Sequence, residues 1–333
     1  METNVSSGRR ALRAVLCTAL AAFALNSFFA RDAAAQEFPT KRVTLIVPYA
    51  PGGQGDFIGR IVTQRLADRF GQPVVIEHRP SVTGNVGVVA GSRAAPDGYT
   101  VTLISNQNLV SNLVEGQSSF NMGRDLAAVS KVVEYYLVLL VKPSLPVKTV
   151  EELIALMKSK PGGVTLGSGG IGSSGHVAMG LVTQKTGVEV LHVPYKGEGP
   201  AITALLGGEV DMAFITVSAA GALVKSGKLR ALAVSSPKRL PALADIPTIA
   251  EAIPGIEYVS WFGMAVPQGT PRNRVDFLSK EIAAVLQMPE VRQTLVDRTF
   301  EVVGSTPDQF QQNIQSDAEM LTKLIKQLAI KPQ

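Results

Sequence analysis

Between Val43 and Phe70 the hydrophobic pattern changes period. Val43–Val47 is a short β-branched apolar run of the kind that forms a buried strand. Pro48-Tyr49-Ala50-Pro51-Gly52-Gly53-Gln54-Gly55-Asp56 follows, and its prolines and glycines end the strand. Ile58, Ile61, Val62, Leu66 and Phe70 then recur at spacings of three and four, the apolar stripe of an amphipathic helix. The unit is strand, glycine-rich loop, helix. Its loop aims backbone N–H groups at the space above the strand's carboxyl end, beside the positive end of the helix dipole, which suits an anion. An ordinary βα turn has the same outline. Gly53 is expected to let the backbone approach a ligand and to sit at positive φ.

The same alternation continues along the chain. Strands are expected at Pro73–Glu77, Thr100–Ile104, Lys131–Val141, Val164–Leu166, Glu189–Val193, Val210–Thr216, Leu229–Val234 and Tyr258–Val266. A small-residue helix is expected over Gly84–Ala95, and Ser105-Asn106-Gln107-Asn108 as a polar loop at a strand's carboxyl end. Further helices are expected after the capping-box patterns at Thr149–Glu152 and Thr248–Glu251, from Ser174 to Gly187, over Ala201–Leu206, and from Thr270-Pro271 to Gln287. A final helix is expected from the Thr306-Pro307-Asp308-Gln309 cap to about Leu328. Gly167-Ser168-Gly169-Gly170-Ile171-Gly172-Ser173-Ser174-Gly175-His176 makes a second strand, glycine-rich loop and helix unit.

Strands alternating with helices imply an α/β fold with mainly parallel sheets covered on both faces. The elements fall into two sets. The runs near Tyr136 and Trp261 read as hinge strands passing between two domains, with the C-terminal helices returning to the first. Ligands in open α/β sheets sit beyond the strands' carboxyl ends. Two facing domains would therefore place both glycine-rich loops in one cleft.

The N-terminus changes the picture of location. Arg9, Arg10 and Arg13 form a basic stretch, Ala14–Ala30 is almost entirely apolar, and Ala33-Ala34-Ala35 offers a small-residue cleavage site. That order predicts a secretory signal peptide over residues 1–35, and so an exported, periplasmic protein. Asn26 interrupts the apolar run, which is short for a membrane anchor. Cys17, the chain's one cysteine, lies in the leader, so a mature chain from Gln36 relies on its apolar core and forms no disulfide. The formal net charge is +5, and four leader arginines against Glu2 and Asp32 leave the mature chain only mildly basic. With no basic run interleaved with aromatics, nothing points to nucleic acid.

Gly167-x-Gly169-x-x-Gly172 fits the dinucleotide fingerprint, but the following strand ends in Val193-Pro194-Tyr195-Lys196 and not in an acid that could hold a ribose. A small-anion loop is the better reading, with Ser168, Ser173 and Ser174 supplementing backbone N–H groups. The three histidines, His78, His176 and His192, show no metal-ligand spacing, and no metal or cofactor is expected. Ser173 or Ser174 beside His176 leaves an exported serine hydrolase as the alternative to a binding protein, although no motif supplies a group to orient the base.

These residues resemble the periplasmic solute-binding proteins of the tripartite tricarboxylate transporter system, also called the Bug receptor family. The shared motifs run through the whole mature chain: Phe38-Pro39-Thr40-Lys41, Pro48–Gly53 with Asp56, Gly71–Val75, Ala95–Thr100, Gly172–Ser174 with His176, Val193–Gly197, Gly207–Asp211, Gly227–Ala233, Asp245–Thr248 and Gly304–Pro307. The resemblance implies a two-domain periplasmic-binding-protein type II fold, with residues 36–138 plus 262–333 as one domain and 139–261 as the other. It implies closure on a small organic carboxylate, delivery to integral-membrane permease subunits, no enzymatic activity and a monomer. Carried over, it places the ligand against Ala50, Gly52, Gly53, Gln54, Asp56, Ser168, Gly170, Ser173 and Ser174. The far side falls to Tyr195, Lys196, Gly197 and Thr216, with Ser105 and Asn106 at the third strand's end. The chain departs from the family at Ile215-Thr216, at Glu198 and over Gln107–Asp125. Glu198, if it faces inward, would repel a distal carboxylate and favour an amine or hydroxyl.

Overall fold

The computed structural model describes residues 38–81, 84–114 and 120–327. The expected signal peptide lies outside them. Both sheets lie in the unit that begins at Lys41.

The first sheet grows from β1 (Val43–Val47), α1 (Gln54–Phe70), β2 (Val74–His78), α2 (Asn85–Ser92) and β3 (Thr100–Ser105). Val43, Leu45, Ile46 and Val47 are buried, as are Ile58, Val62 and Leu66 of α1, so the change in hydrophobic period marks the change of element. α1 stops at Gly71 in the left-handed region (φ 59°). β1 pairs in parallel with β2 and β3.

After α3 (Asn106–Val114) and α4 (Met122–Asp125), β4 (Leu126–Tyr135) enters the same sheet, with β10 (Ser260–Pro267) wedged antiparallel between β3 and β4. The expected polar loop at 105–108 is instead the start of α3. Ser105 Oγ accepts the Asn108 N–H (3.4 Å) and Asn108 Oδ1 accepts the Ser105 N–H (2.9 Å). That is a reciprocal cap with asparagine in the place usually held by Glu or Gln, so the usual pattern does not reveal it.

The second sheet takes β5 (Leu137–Val141), β6 (Thr165–Ser168), β7 (Leu191–Pro194), β8 (Met212–Thr216) and β9 (Arg230–Val234), in the order β7-β6-β8-β5-β9. β6 pairs in parallel with β7 and β8, while β5 runs antiparallel to β8 and β9. The run expected as one strand over Lys131–Val141 is thus two strands in two sheets, with Tyr136 alone between them. Helices α5 (Val150–Ser159), α6 (Ser174–Thr186), α7 (Glu198–Gly207) and α8 (Val217–Lys225) alternate with these strands. Val138, Leu140, Leu205, Ile215 and Val234 share one buried core. The short α9 (Ile249–Ala252) opens with a true capping box between Thr248 and Glu251.

The chain then returns to the first sheet through β10, and α10 (Arg272–Leu286), α11 (Pro289–Asp297), β11 (Glu301–Val302) and α12 (Pro307–Gln327) complete it. α10 and α12 pack on β4, and α10 also on α1. Trp261 of β10 is buried, donates Nε1–H to Asp317 Oδ2 of α12 (2.6 Å) and meets Phe310 edge-on. α11 and β11 have too few apolar positions to stand out in the sequence. In each sheet one central strand, β10 or β5, opposes the direction of most of the others. The fold is α/β, two helix-flanked sheets of the periplasmic-binding-protein type.

Candidate functional site

A cavity of about 470 Å³ lies where helices from both sheets begin. Two N-termini carry its chemistry. Gly53 caps α1, whose first intrahelical bond is from Phe57 N–H to Gly53 O, so the first-turn N–H groups of Gln54 and Gly55 have no acceptor within the helix. Ser173 caps α6 and accepts the His176 N–H (3.4 Å), which leaves the first-turn N–H groups of Ser174 and Gly175 in the same position. Gly53, Gln54, Gly55, Ser173, Ser174 and Gly175 line the cavity, and both helix dipoles favour negative charge there.

The loop after β1 is held by Asp56. Its Oδ2 accepts the Gly52 N–H (2.8 Å), and its Oδ1 bonds Arg60 Nε (2.9 Å) and His78 Nε2 (2.7 Å). Burial pushes the Asp56 carboxyl upward, but hydrogen bonds from Arg60, Gly52 and His78 reverse this and hold it down at about 2. Gly52 sits at φ 88° and needs to be glycine. Gly53 does not: it is extended (φ −81°), and an added Cβ would come no closer than 3.7 Å to its nearest neighbour, Ala50 O. The expectation of positive φ therefore belongs one residue earlier. Gly55 is glycine for a different reason, since a Cβ there would stand 2.5 Å from the Tyr49 ring.

An aromatic wall completes the first-sheet side. Tyr49 packs edge-on to Phe262, and Phe262 stacks on Tyr135 with ring centroids 5.3 Å apart. Tyr49 Oη is fixed by Ser105 Oγ (2.6 Å) and Asn108 Oδ1 (2.8 Å), and burial drives its phenol well above the ordinary range.

On the opposite side Gly169 lies against the Gly197–Glu198 backbone, with room for no more than a tight Cβ. Glu198 opens α7 and lines the cavity. Its Oε1 accepts the Thr216 N–H (2.6 Å) and its Oε2 accepts the Thr216 hydroxyl (3.1 Å). Gln54 Nε2 donates to Ser218 Oγ (3.1 Å), which donates to Thr216 Oγ1 (3.3 Å), so a hydrogen-bonded chain joins α1 to the second sheet.

Of the residues expected from the sequence, the structure brings Ala50, Gly53, Gln54, Ser173, Ser174, Lys196, Gly197 and Thr216 to the cavity wall. The others stand behind it. Gly52 and Asp56 shape the first loop, and Ser105 holds Tyr49. Ser168 is buried against His192 Nε2 (2.6 Å) and accepts the Gly170 N–H (3.2 Å). Tyr195 packs on the core of the second sheet. Asn106 is buried and turned toward Tyr258, donating to its hydroxyl (3.0 Å). Tyr49, Gln107, Tyr135, Phe214 and Phe262 also reach the wall. Tyr135, Phe214 and Phe262 were not singled out in the sequence, because an aromatic in an apolar strand reads as core.

His176 does not face the serine hydroxyls as a base would. Its Nδ1 accepts the Gly172 N–H (3.1 Å), and its ring stacks on His192 at 4.0 Å. Burial, then the charge of His192, lowers His176 to about 4, and burial lowers His192 too. Among the described residues no group of three or more His, Cys, Asp or Glu is arranged to hold a metal. No described helix is long and apolar enough to cross a membrane.

Residues 58–330 match the sequence profile of the tripartite tricarboxylate transporter family receptor. The chain belongs to that family. It is 31% identical to protein BugT of Bordetella pertussis over 322 residues, covering 95% of this chain and 98% of that one. Its fold is similar to an R. palustris protein solved with adipate, at 33% identity and TM-score 0.78, covering 89% of this chain and all of the other. It is also similar to MatC from Rhodopseudomonas palustris with bound malate, at 27% identity and TM-score 0.75, covering 86% and 100%. Family members are periplasmic solute-binding receptors, and these two solved relatives carry carboxylates.

Proposed function

We propose that this protein is a periplasmic solute-binding receptor that captures one small organic carboxylate in the 470 Å³ cavity. It then delivers that ligand to the integral-membrane permease of a tripartite tricarboxylate-type transporter. The convergence of the α1 and α6 N-termini on one cavity carries the reading: four first-turn N–H groups, at Gln54, Gly55, Ser174 and Gly175, are left for an anion. The two come from different sheets, so a carboxylate between them rewards closure. The two sheets are the cores of the two closing bodies, between which the chain passes at Tyr136 and again just before Ser260. The chain is exported behind a leader of residues 1–35, and the receptor works as a monomer without chemistry. The malate- and adipate-bound relatives support a carboxylate as ligand class.

Thermal shift against a panel of mono-, di- and tricarboxylates, aromatic acids and amino acids tests it. Stabilisation by a carboxylate, and none by the matching primary amide, is expected. A panel in which uncharged solutes stabilise the protein and no carboxylate does would overturn the reading.

A further inference from the structure

Glu198 places a carboxyl inside an anion-binding cavity; burial pushes its titration up, and the two hydrogen bonds from Thr216 favour its charged form. Every hydrogen bond it makes is one it accepts, from Thr216 N–H and the Thr216 hydroxyl, and the donors behind them run one way, from Gln54 through Ser218 to Thr216 and so to Glu198. That order keeps Glu198 an acceptor. A carboxylate offers about four acceptor positions. Two are filled, and the residue is only partly buried because its remaining face lines the cavity. No ion pair among the described residues neutralises it, and Lys196, the one cation on the same wall, is exposed and makes no bridge to it. Tyr135 lines the same cavity, and burial is what chiefly raises its phenol.

Resting on the receptor reading above, we propose that Glu198 is the specificity-determining residue of this site. The ligand is then a carboxylate whose far end is a hydrogen-bond donor, an ammonium first and a hydroxyl second, and not a second carboxylate. One end meets the N–H groups of α1 and α6, and the other supplies the donor that Glu198 lacks. A dicarboxylate of the same length would set a second anion against the Glu198 carboxylate in the same cavity, where like charges repel. The binding preference is thereby opposite to that expected of a site for malate or adipate.

Calorimetric titration with length-matched pairs tests this. The probes are ω-amino acids, ω-hydroxy acids and α,ω-dicarboxylates of three to six carbons, on the wild-type protein, Glu198→Gln and Glu198→Ala, each checked for folding by circular dichroism. At the best chain length the amino acid is expected to bind about ten- to a hundredfold more tightly than the dicarboxylate, the size of one hydrogen bond between charged groups. Glu198→Gln is expected to remove most of that ratio and to improve dicarboxylate binding. A wild-type preference for dicarboxylates, or a ratio untouched by Glu198→Gln, overturns the assignment of Glu198 and leaves the carboxylate receptor standing. Binding of no probe at any length overturns the assignment of Glu198, while the wider carboxylate panel decides the receptor reading separately.

Discussion

Asp56 offers the clearest physical test of how the site is built. Its side chain is 6% exposed and bonds Gly52, Arg60 and His78 at once. These bonds lower its carboxyl from the ordinary 3.8 to about 2. Each pH unit of such a displacement is worth about 1.4 kcal/mol, so the charged form stabilises the fold by about 2 kcal/mol. The folded value lies below the unfolded one. The contribution is therefore fully present above pH 3.8 and is lost as pH falls through about 2. Asp56→Asn keeps the shape and an oxygen for the Gly52 N–H but removes the charge. Urea unfolding followed by the fluorescence of Trp261, the chain's one tryptophan, should show a loss of about 2 kcal/mol at pH 7 that narrows below pH 4. Asp56→Ala should in addition weaken ligand binding, because the Gly52 N–H loses its acceptor and the first loop loses its anchor. A loss under about 0.5 kcal/mol at pH 7 for Asp56→Asn, or a loss that stays constant down to pH 3, would refute the reasoning.

Gly53→Val should fold normally, since its backbone is extended, yet weaken carboxylate binding by more than about a hundredfold by filling the space beside the N–H groups. Lys196→Ala should cost less than about tenfold, and the opposite ranking by calorimetry would make the site a side-chain ion pair. Burial holds His176 neutral down to about pH 4, so between pH 6.5 and 4 the unfolded chain takes up a proton that the folded one refuses, and stability falls as pH drops through that window. His176→Gln should flatten that part of the urea-stability profile, and unchanged slopes would count against the buried neutral ring. Small-angle scattering should show a smaller radius of gyration once a stabilising carboxylate is added, and an unchanged radius at saturation would rule out closure.

Much of this architecture was legible because local signals agreed with the global ones. The β-branched run at Val43–Val47, the stripe from Ile58 to Phe70 and the cap at Thr248 each specify an element from a few residues. The two glycine-rich loops could be placed at strand ends, and strand ends are where α/β sheets hold ligands. What stayed hidden depends on partners far along the chain. Nothing near Tyr136 marks it as the point where the backbone changes sheet, since buried apolar residues continue on both sides of it, from Val132 and Val133 to Leu137–Val141. Asn106 and Ser105 look like ligand contacts in sequence, yet Tyr258 and Tyr49, remote in the chain, take the Asn106 amide N–H and the Ser105 hydroxyl. Glu198 showed the reverse. Only its contact with Thr216 reveals that it faces the cavity.

The position of β10 fixes an order of assembly. Thr102 of β3 pairs with Ala265 of β10, and β4 reaches the rest of its sheet only through that same strand. The first sheet therefore has no centre until the chain beyond residue 260 has arrived, and closing so long a loop is slow. The strands of the second sheet lie consecutively between Leu137 and Val234 and wait for nothing downstream. A nascent or refolding chain should accordingly protect the β5–β9 amides from solvent exchange first, leaving β1, β2 and β3 as an open-edged platform until β10 slots in.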